Sequence, residues 1–223
     1  MSPTRPSGPA RLTRAELQQR TRERLIAAAE ALFIERGVNG ASVEQIAEHA
    51  GFSRGAFYSN FADKQSLVAA LLMERTRREA DEVGAIVLNP AATFPERMDA
   101  LRAWHRERAR TAHEWLILRT ELWLHAVRTG DRALLEQIEE RERFARQMLA
   151  EGVATAFDAG TMPPADPAFL GLIMHALEDG LLIQHLIAPE GTSDTVVVDA
   201  VELLIRAWRS LAASSSGEKG RPA

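Results

Sequence analysis

Apolar residues recur at helical spacing along most of this chain. Between positions 22 and 36 they occupy one face of a helix, at the i, i+3, i+4 and i+7 spacing: Leu25, Ala28, Ala29, Leu32 and Phe33. Similar patterns predict a helix after Asp63 and further helices over 96–112, 114–128, 131–157, 167–188 and about 193–211. No segment sustains the alternation of a strand, so we expect an all-α fold.

The segment from Ser42 to Lys64, SVEQIAEHAGFSRGAFYSNFADK, predicts a helix-turn-helix. Ser42 and Gln45 have the spacing of a capping box, and Ser53 is a natural N-cap for a second helix. Gly51 stands at the turn, where a positive φ is needed. A small core can close between the two helices through Val43, Ile46, Ala47 and Phe57. An exposed second helix of about two turns is suited to the major groove of DNA.

The wider run from Leu25 to Leu72, LIAAAEALFIERGVNGASVEQIAEHAGFSRGAFYSNFADKQSLVAALL, resembles the TetR family of bacterial transcriptional regulators. Asn60 departs from the family pattern, which usually has His or Tyr there. The resemblance implies an N-terminal three-helix helix-turn-helix domain and a C-terminal helical bundle for ligand binding and dimerisation. We place the DNA-binding domain at 13–64 and the bundle at 65–213, between tails expected to be disordered at 1–12 and 214–223.

The predicted contacts to a double-stranded DNA operator lie mainly on the second helix. Arg54 is the best candidate for bidentate pairing to guanine, and Gly55 lets the backbone approach the groove. Tyr58 and Lys64 match family positions that contact phosphates. The remaining candidates are Ser53 on the same helix and two residues expected at helix starts, Thr21 and Ser42. For each polar residue the alternative is an ordinary solvated surface group.

The last two long helices predict a partner. Residues 167–188 are apolar around most of the helix circumference, so the helix must be covered on both sides. The final helix carries one stripe of Val197, Val201, Leu204 and Trp208. Both helices could sit within the core of their own domain. The resemblance instead favours a homodimer in which these helices pair with their symmetry mates.

Aromatic, Met and a few polar residues on the C-terminal helices are candidates for a small-molecule effector site. The predicted ligand-binding residues are Trp104, Trp115, Arg119, Trp123, Phe144, Met148, Met174 and His175. The same residues could equally fill the core of a plain helical bundle. Trp115 and Trp123, eight residues apart on roughly one face, form the best-supported pair. If a cavity exists, we expect its ligand to be flat and mostly hydrophobic.

The charge is distributed unevenly along the chain. Its net charge is −4, yet residues 1–64 hold nine Lys and Arg against seven Asp and Glu, a local excess of +2. The positive excess therefore lies with the predicted DNA-binding part. The chain has no cysteine, which suits a reducing cytosol, and no apolar run that approaches the ~20 residues of a membrane span. We expect a cytoplasmic protein without membrane contact.

Catalytic motifs are absent from the sequence. Its six histidines form no H-E-x-x-H pattern, and there is no P-loop, G-x-G-x-x-G or G-x-S-x-G. We therefore expect no enzyme activity, no cofactor and no metal. A second hypothesis is a helical adaptor that binds another protein through its apolar helices without touching DNA. That hypothesis leaves the pattern of Ser42–Lys64 unexplained.

Overall fold

A computed structural model describes residues 13–156, 166–191 and 193–218, and within these ranges every long element is a helix. The prediction of an all-α fold is confirmed. The helices, in chain order, are α1 (Arg14–Arg36), α2 (Val43–His49), α3 (Arg54–Tyr58), α4 (Lys64–Val87), α5 (Phe94–Thr129), α6 (Arg132–Ala156), α7 (Pro167–Ile187) and α8 (Val196–Glu218). A short 3-10 helix, Pro189–Gly191, precedes α8. The chain divides within α4 into two units, residues 1–71 and 72–223.

The first unit is built on α1, α2 and α3. Two capping boxes start its helices, Thr13 with Glu16 before α1 and Ser42 with Gln45 before α2. Gly51 has a φ of +74° at the turn between α2 and α3, as predicted. The core consists of fully buried side chains from all three helices and the start of α4: Leu25, Ala29, Ile46, Phe57, Leu67 and Leu71.

The second unit packs the rest of α4 with α5, α6, α7 and α8. One buried cluster joins α7 and α8 through Leu170, Met174 and Ile205. Another joins α5 and α8 through Met98, Leu101 and Val198. Gly171 brings α7 close to α6, because a Cβ built there would lie 2.7 Å from the Arg146 carbonyl oxygen and 2.9 Å from the Ala150 nitrogen.

Three predicted boundaries are wrong. Residues 96–128 lie in one continuous helix of 36 residues, Phe94–Thr129, instead of two, because no Gly or Pro interrupts α5 after its first turn. Helix α1 begins eight residues before Arg22, since Thr13 and Glu16 cap it there. Helix α8 continues through Ser214 to Glu218, where alanine and serine still tolerate helical backbone. The predicted tail at 1–12 and the last five residues of the predicted tail at 214–223 lie outside the described residues.

By length and composition, α7 is apolar enough to cross a membrane, in contrast to the sequence-based expectation. Its 21 residues include a window of mean hydropathy 1.2, of which 22 % is buried within the protein. The helix also carries His175, Glu178 and Asp179, and charged groups near the middle of a span are costly in a bilayer. A single helix of this kind is therefore weak support for a membrane span.

Candidate functional site

Helix α3 presents an exposed polar surface formed by Ser53, Arg54, Gly55 and Tyr58, here called the recognition surface. Ser53 is the N-cap of α3, because its hydroxyl accepts a hydrogen bond of 3.2 Å from the Ala56 amide. On the opposite side of α3, Phe57 is fully buried. A single buried aromatic side chain thus fixes the helix on its support while the polar residues face solvent.

Arg54 is the most prominent cation of this surface, with 64 % of its side chain exposed. Its Nη1 lies 3.1 Å from Glu44 Oε1 on α2, and its Nη2 donates to the Tyr58 hydroxyl at 3.5 Å. The hydrogen bond to Tyr58, followed by the charge of Glu44, raises the pKa of Arg54. The guanidinium is therefore charged at any physiological pH and is oriented by two neighbours.

Packing within the protein does not require a glycine at position 55. A Cβ at this position would meet only Ser53 Oγ, at an ordinary contact distance of 3.7 Å. The absence of a side chain instead leaves the backbone of α3 open on the exposed side. This arrangement is what a close approach to a DNA groove requires.

Lys64 begins α4, as predicted, but its side chain is engaged within the protein, and Thr21 does not lie at a helix start. Lys64 Nζ donates hydrogen bonds to the carbonyl oxygens of Val38 (2.7 Å) and Ala41 (3.0 Å), so the ammonium group ties down the loop between α1 and α2. Thr21 lies inside α1, where its hydroxyl donates to the Leu17 carbonyl at 2.9 Å. Its expected place at a helix start was wrong because α1 begins earlier. Ser42 is exposed and is the N-cap of α2, as predicted.

Asn60, the residue that departs from the family pattern, closes the end of α3. Its side-chain Nδ2 donates to the Ala56 carbonyl at 2.8 Å, and its backbone carbonyl oxygen accepts from Arg22 Nη1 at 3.0 Å. Its Oδ1 is buried and finds no hydrogen-bond partner among the described residues. This side chain therefore caps the helix instead of extending the recognition surface.

The second unit contains a cavity of about 110 Å³, called the cavity below. Three predicted ligand residues line it: Trp104, Trp115 and Arg119. The lining also includes charged or titratable groups that were not predicted: Arg75, Glu79, His105, Arg108, Arg141, Glu178, His185 and Asp194. Isolated charges carry no periodic signal, so sequence patterns could not show that these groups converge.

The other five predicted ligand residues do not line this cavity. Met174 belongs to the buried cluster with Leu170, and Trp123 has the Arg119 guanidinium 4.9 Å above its ring. Phe144 and Met148 are half-buried on α6. His175 is buried, and its Nε2 lies 2.7 Å from Glu142 Oε2. Helical spacing placed these residues in the right bundle, but it does not show which of them line the cavity.

Two guanidinium groups lie over aromatic rings in the cavity wall. The Arg75 guanidinium lies 4.2 Å from the centre of the Trp115 ring, and the Arg108 guanidinium lies 4.2 Å from that of Trp104. Arg75 and Arg108 also both contact the carboxylate of Glu79. The lining is therefore apolar and aromatic in part, and it also carries four arginines and three carboxylates.

Burial shifts the titration of two lining residues. It lowers the pKa of His105 to about 4, with a smaller contribution from the charge of Arg108. Burial likewise raises the pKa of Glu178, and nearby Asp179 and Glu79 act in the same direction. His105 is thus neutral at physiological pH, and the negative charge of Glu178 is disfavoured.

Glu142, His175 and Asp179 form the group that most resembles a metal site in the described ranges, with candidate ligand atoms within 4.8 Å of one another. Two arginines already occupy its carboxylates, because Arg141 binds Glu142 and Arg119 binds Asp179. The hydrogen bond to His175 and the charge of Arg141 lower the pKa of Glu142, although burial opposes them. The arrangement is that of an ion-pair network between α5, α6 and α7, since the guanidinium groups supply the positive charge.

Comparisons with known proteins agree with the helix-turn-helix. Residues 25–71 match the profile described as "Bacterial regulatory proteins, tetR family". The repressor AcnR of Corynebacterium diphtheriae is 29 % identical over 152 residues, which cover 60 % of this chain and 72 % of AcnR. The repressor BepR of Brucella suis is 41 % identical over 73 residues, or 33 % of this chain and 34 % of BepR.

Solved structures share the fold over most of the chain. A protein from Mesorhizobium loti described as a TetR-family regulator superposes with a TM-score of 0.66 at 21 % identity, covering 90 % of this chain and 98 % of that one. The SmeT–triclosan complex superposes with a TM-score of 0.58 at 26 % identity, covering 82 % and 90 %. The similarity therefore extends beyond the matched N-terminal segment into the second unit.

Proposed function

We propose that this chain is a homodimeric transcriptional repressor of the TetR family of bacterial regulatory proteins, released from a palindromic operator by a small-molecule effector. The relatives AcnR and BepR are HTH-type transcriptional repressors, which supports regulation by DNA binding for this chain. The operator symmetry, the dimer and the response to an effector are our proposal. We also propose that the protein acts in the cytoplasm, where the DNA is.

The recognition surface carries this proposal. Arg54 and Tyr58 lie one turn apart on the exposed side of α3, and Gly55 leaves the backbone between them open. In the major groove, Arg54 pairs with a guanine edge while Tyr58, Ser53 and the N-cap Ser42 contact phosphates. Phosphate contacts by Lys64 and Thr21 remain predictions, and both side chains hold internal hydrogen bonds in this structure.

An exposed stripe on α7 supports the dimer. Phe169, Leu172, Ala176, Gly180, Ile183 and Ile187 follow one another at three- and four-residue spacing, and all are exposed. On α8, by contrast, Val201 and Trp208 pack against the core of their own unit. Apolar surface of this kind is normally covered by a partner. A two-fold dimer carries two recognition surfaces, which suits an operator with two symmetric half-sites roughly 34–36 Å apart.

The cavity is our candidate effector site. Trp104 and Trp115 provide aromatic walls for the flat body that we expected, and the cavity lies within the unit that carries the proposed dimer stripe. An effector that binds more tightly to one arrangement of the dimer shifts the population toward it. DNA affinity falls when the favoured arrangement is the one that does not fit the operator.

Selection of bound fragments from a random DNA library tests this function directly. We expect enriched sequences that form an imperfect palindrome with half-sites about one helical turn apart. The Arg54→Ala protein should lose preference at one base position in each half-site. Absence of any salt-sensitive binding to double-stranded DNA would refute the function and would favour the helical adaptor instead.

A further inference from the structure

The cavity contains two buried hydrogen-bond donors without acceptors. Trp115 and Arg119 are 7 % and 8 % exposed, and both line the cavity. The indole Nε1 of Trp115 and the Nε of Arg119 find no acceptor among the described residues. Each unmade hydrogen bond of this kind costs about 1–3 kcal/mol, which is a substantial part of a protein's net stability. Such donors are usually paired, and a bound ligand is one way to pair them.

The two donors lie close together on α5. They are four residues apart, so one face of the helix carries both. Arg119 is held in place by Asp179, which binds its Nη2 and leaves Nε unused. Because both nitrogens are buried in the wall, a ligand oxygen reaches them through a small turn of the two side chains, as is common on binding.

The charges of the lining favour an acidic ligand. Four arginines line the cavity against the three carboxylates of Glu79, Glu178 and Asp194, and each arginine already has one ion-pair partner. Burial raises the pKa of Glu178, which lowers its negative charge at a given pH. Guanidinium groups form their strongest hydrogen bonds with carboxylates, and a buried site strengthens them further.

The size and walls of the cavity limit the rest of the ligand. An engineered cavity of about 150 Å³ in another protein binds benzene, so about 110 Å³ suits a body of roughly one ring. Trp104, Trp115, Leu116 and Leu182 supply apolar contacts for such a ring. We propose that the effector is a small aromatic carboxylic acid, whose carboxylate accepts hydrogen bonds from Trp115 Nε1 and Arg119 Nε. This inference rests on the proposed effector-responsive function and specifies the class of its ligand.

Binding of benzoate and of benzamide, its neutral analogue, to the full-length protein without DNA tests the inference. We expect benzoate to bind at least about tenfold more tightly in calorimetric titrations, because its hydrogen bonds to a guanidinium are charge-assisted. Equal affinity for the two compounds would contradict the inference. So would the absence of saturable benzoate binding at millimolar concentration.

Two conservative variants assign the contacts. Trp115→Phe keeps an aromatic wall but lacks the N–H, and Arg119→Lys keeps a cation beside Asp179 but lacks Nε. Each should reduce benzoate affinity about tenfold and leave benzamide affinity less affected. The matched controls are Trp208→Phe on α8 and Arg102→Lys on α5, which alter the same residue types outside the cavity lining and should change neither affinity. Full retention of the benzoate preference in both cavity variants would overturn the assignment.

The DNA assay separates this inference from the proposed function. Ligand-free protein that fails to bind DNA would defeat the repressor proposal, whereas the acid–amide comparison uses no DNA and still decides the ligand class. If benzoate binds as expected but leaves operator affinity unchanged, the ligand class stands and the release mechanism fails.

Discussion

Arg54 carries both the strongest DNA contact that we propose and an internal ion pair that competes with it. Glu44 lies 3.1 Å from the guanidinium of Arg54, so pairing with guanine requires that contact to be exchanged. Because both side chains are more than half exposed, water screens the pair, and its strength is typical of surface ion pairs. We therefore expect Glu44 to lower DNA affinity modestly while it holds the Arg54 guanidinium in a defined position.

Removal of the Glu44 carboxylate should change DNA affinity measurably. We expect Glu44→Gln to tighten operator binding about two- to fivefold, beyond the gain from one negative charge fewer near DNA. Glu48→Gln, an exposed position on the same helix, measures that general charge effect in the same fluorescence anisotropy assay. If the two variants bind equally well, the pairing with Glu44 has no effect on recognition.

Lys64 shows the limit of what residue type and spacing can tell. The sequence suggested a phosphate contact, but the ammonium group satisfies two backbone carbonyls of the loop before α2. A side chain of this length reaches either partner, and only the path of the loop decides between them. The faces of α2 and α3 were predictable because the apolar residues buried beneath them recur at fixed spacing.

A substitution separates the two uses of Lys64. We expect Lys64→Ala to lower the free energy of unfolding by about 1–3 kcal/mol, because the carbonyl oxygens of Val38 and Ala41 lose their donor. Urea denaturation measures this loss. A phosphate contact would also reduce the salt dependence of DNA binding by about one unit of slope. An unchanged unfolding free energy would contradict the structural use.

At the scale of elements, the existence of most helices could be predicted from the sequence, but their ends and the helices that they pack against could not. The start of α1 at Thr13 and the continuity of α5 were missed because both predictions relied on apolar periodicity. The capping box of Thr13 and Glu16 starts α1 before its apolar stripe begins, and α5 continues as a helix where its apolar pattern is interrupted. Only three of the eight predicted ligand residues line the cavity, for a related reason. Periodicity shows that Met174 or Trp123 is turned away from solvent, but not which neighbouring helix covers it.

The exposed stripe of α7 belongs to this scale. We expect Leu172→Glu, at a position where the leucine is 45 % exposed, to convert the dimer into monomers, because two charges would then meet at an apolar interface. Leu124→Glu, at 48 % exposure on α5, is the matched control and should leave the dimer intact. Sedimentation velocity measures both. A dimeric Leu172→Glu protein would move the interface away from this stripe.

For the whole molecule, His105 links stability to pH. Burial depresses its pKa to about 4, well below the value of about 6.5 in an unfolded chain, so the unfolded state binds more protons between these values. Stability is therefore complete above the unfolded pKa and falls as the pH decreases toward the folded pKa.

This effect can be isolated by substitution. Between about pH 7 and pH 5, His105 should cost about 2 kcal/mol of unfolding free energy, and His105→Gln should remove that part of the pH dependence. Urea denaturation at both values gives the difference, with His49→Gln as a control at an exposed histidine of α2. Identical pH profiles for the natural protein and His105→Gln would show that burial does not perturb this group.

Low pH should weaken the capping boxes of α1, α2 and α5 to different extents. Glu16 and Glu96 close the boxes at the starts of α1 and α5, and hydrogen bonds from Thr13 and Thr93 lower the pKa of each carboxylate. At the start of α2, the side-chain amide oxygen of Gln45 accepts the corresponding hydrogen bond from the Ser42 backbone N–H, and an amide is not protonated at mildly acidic pH. Falling pH should therefore fray α1 and α5 first, and the helix that supports the recognition surface should keep its first turn.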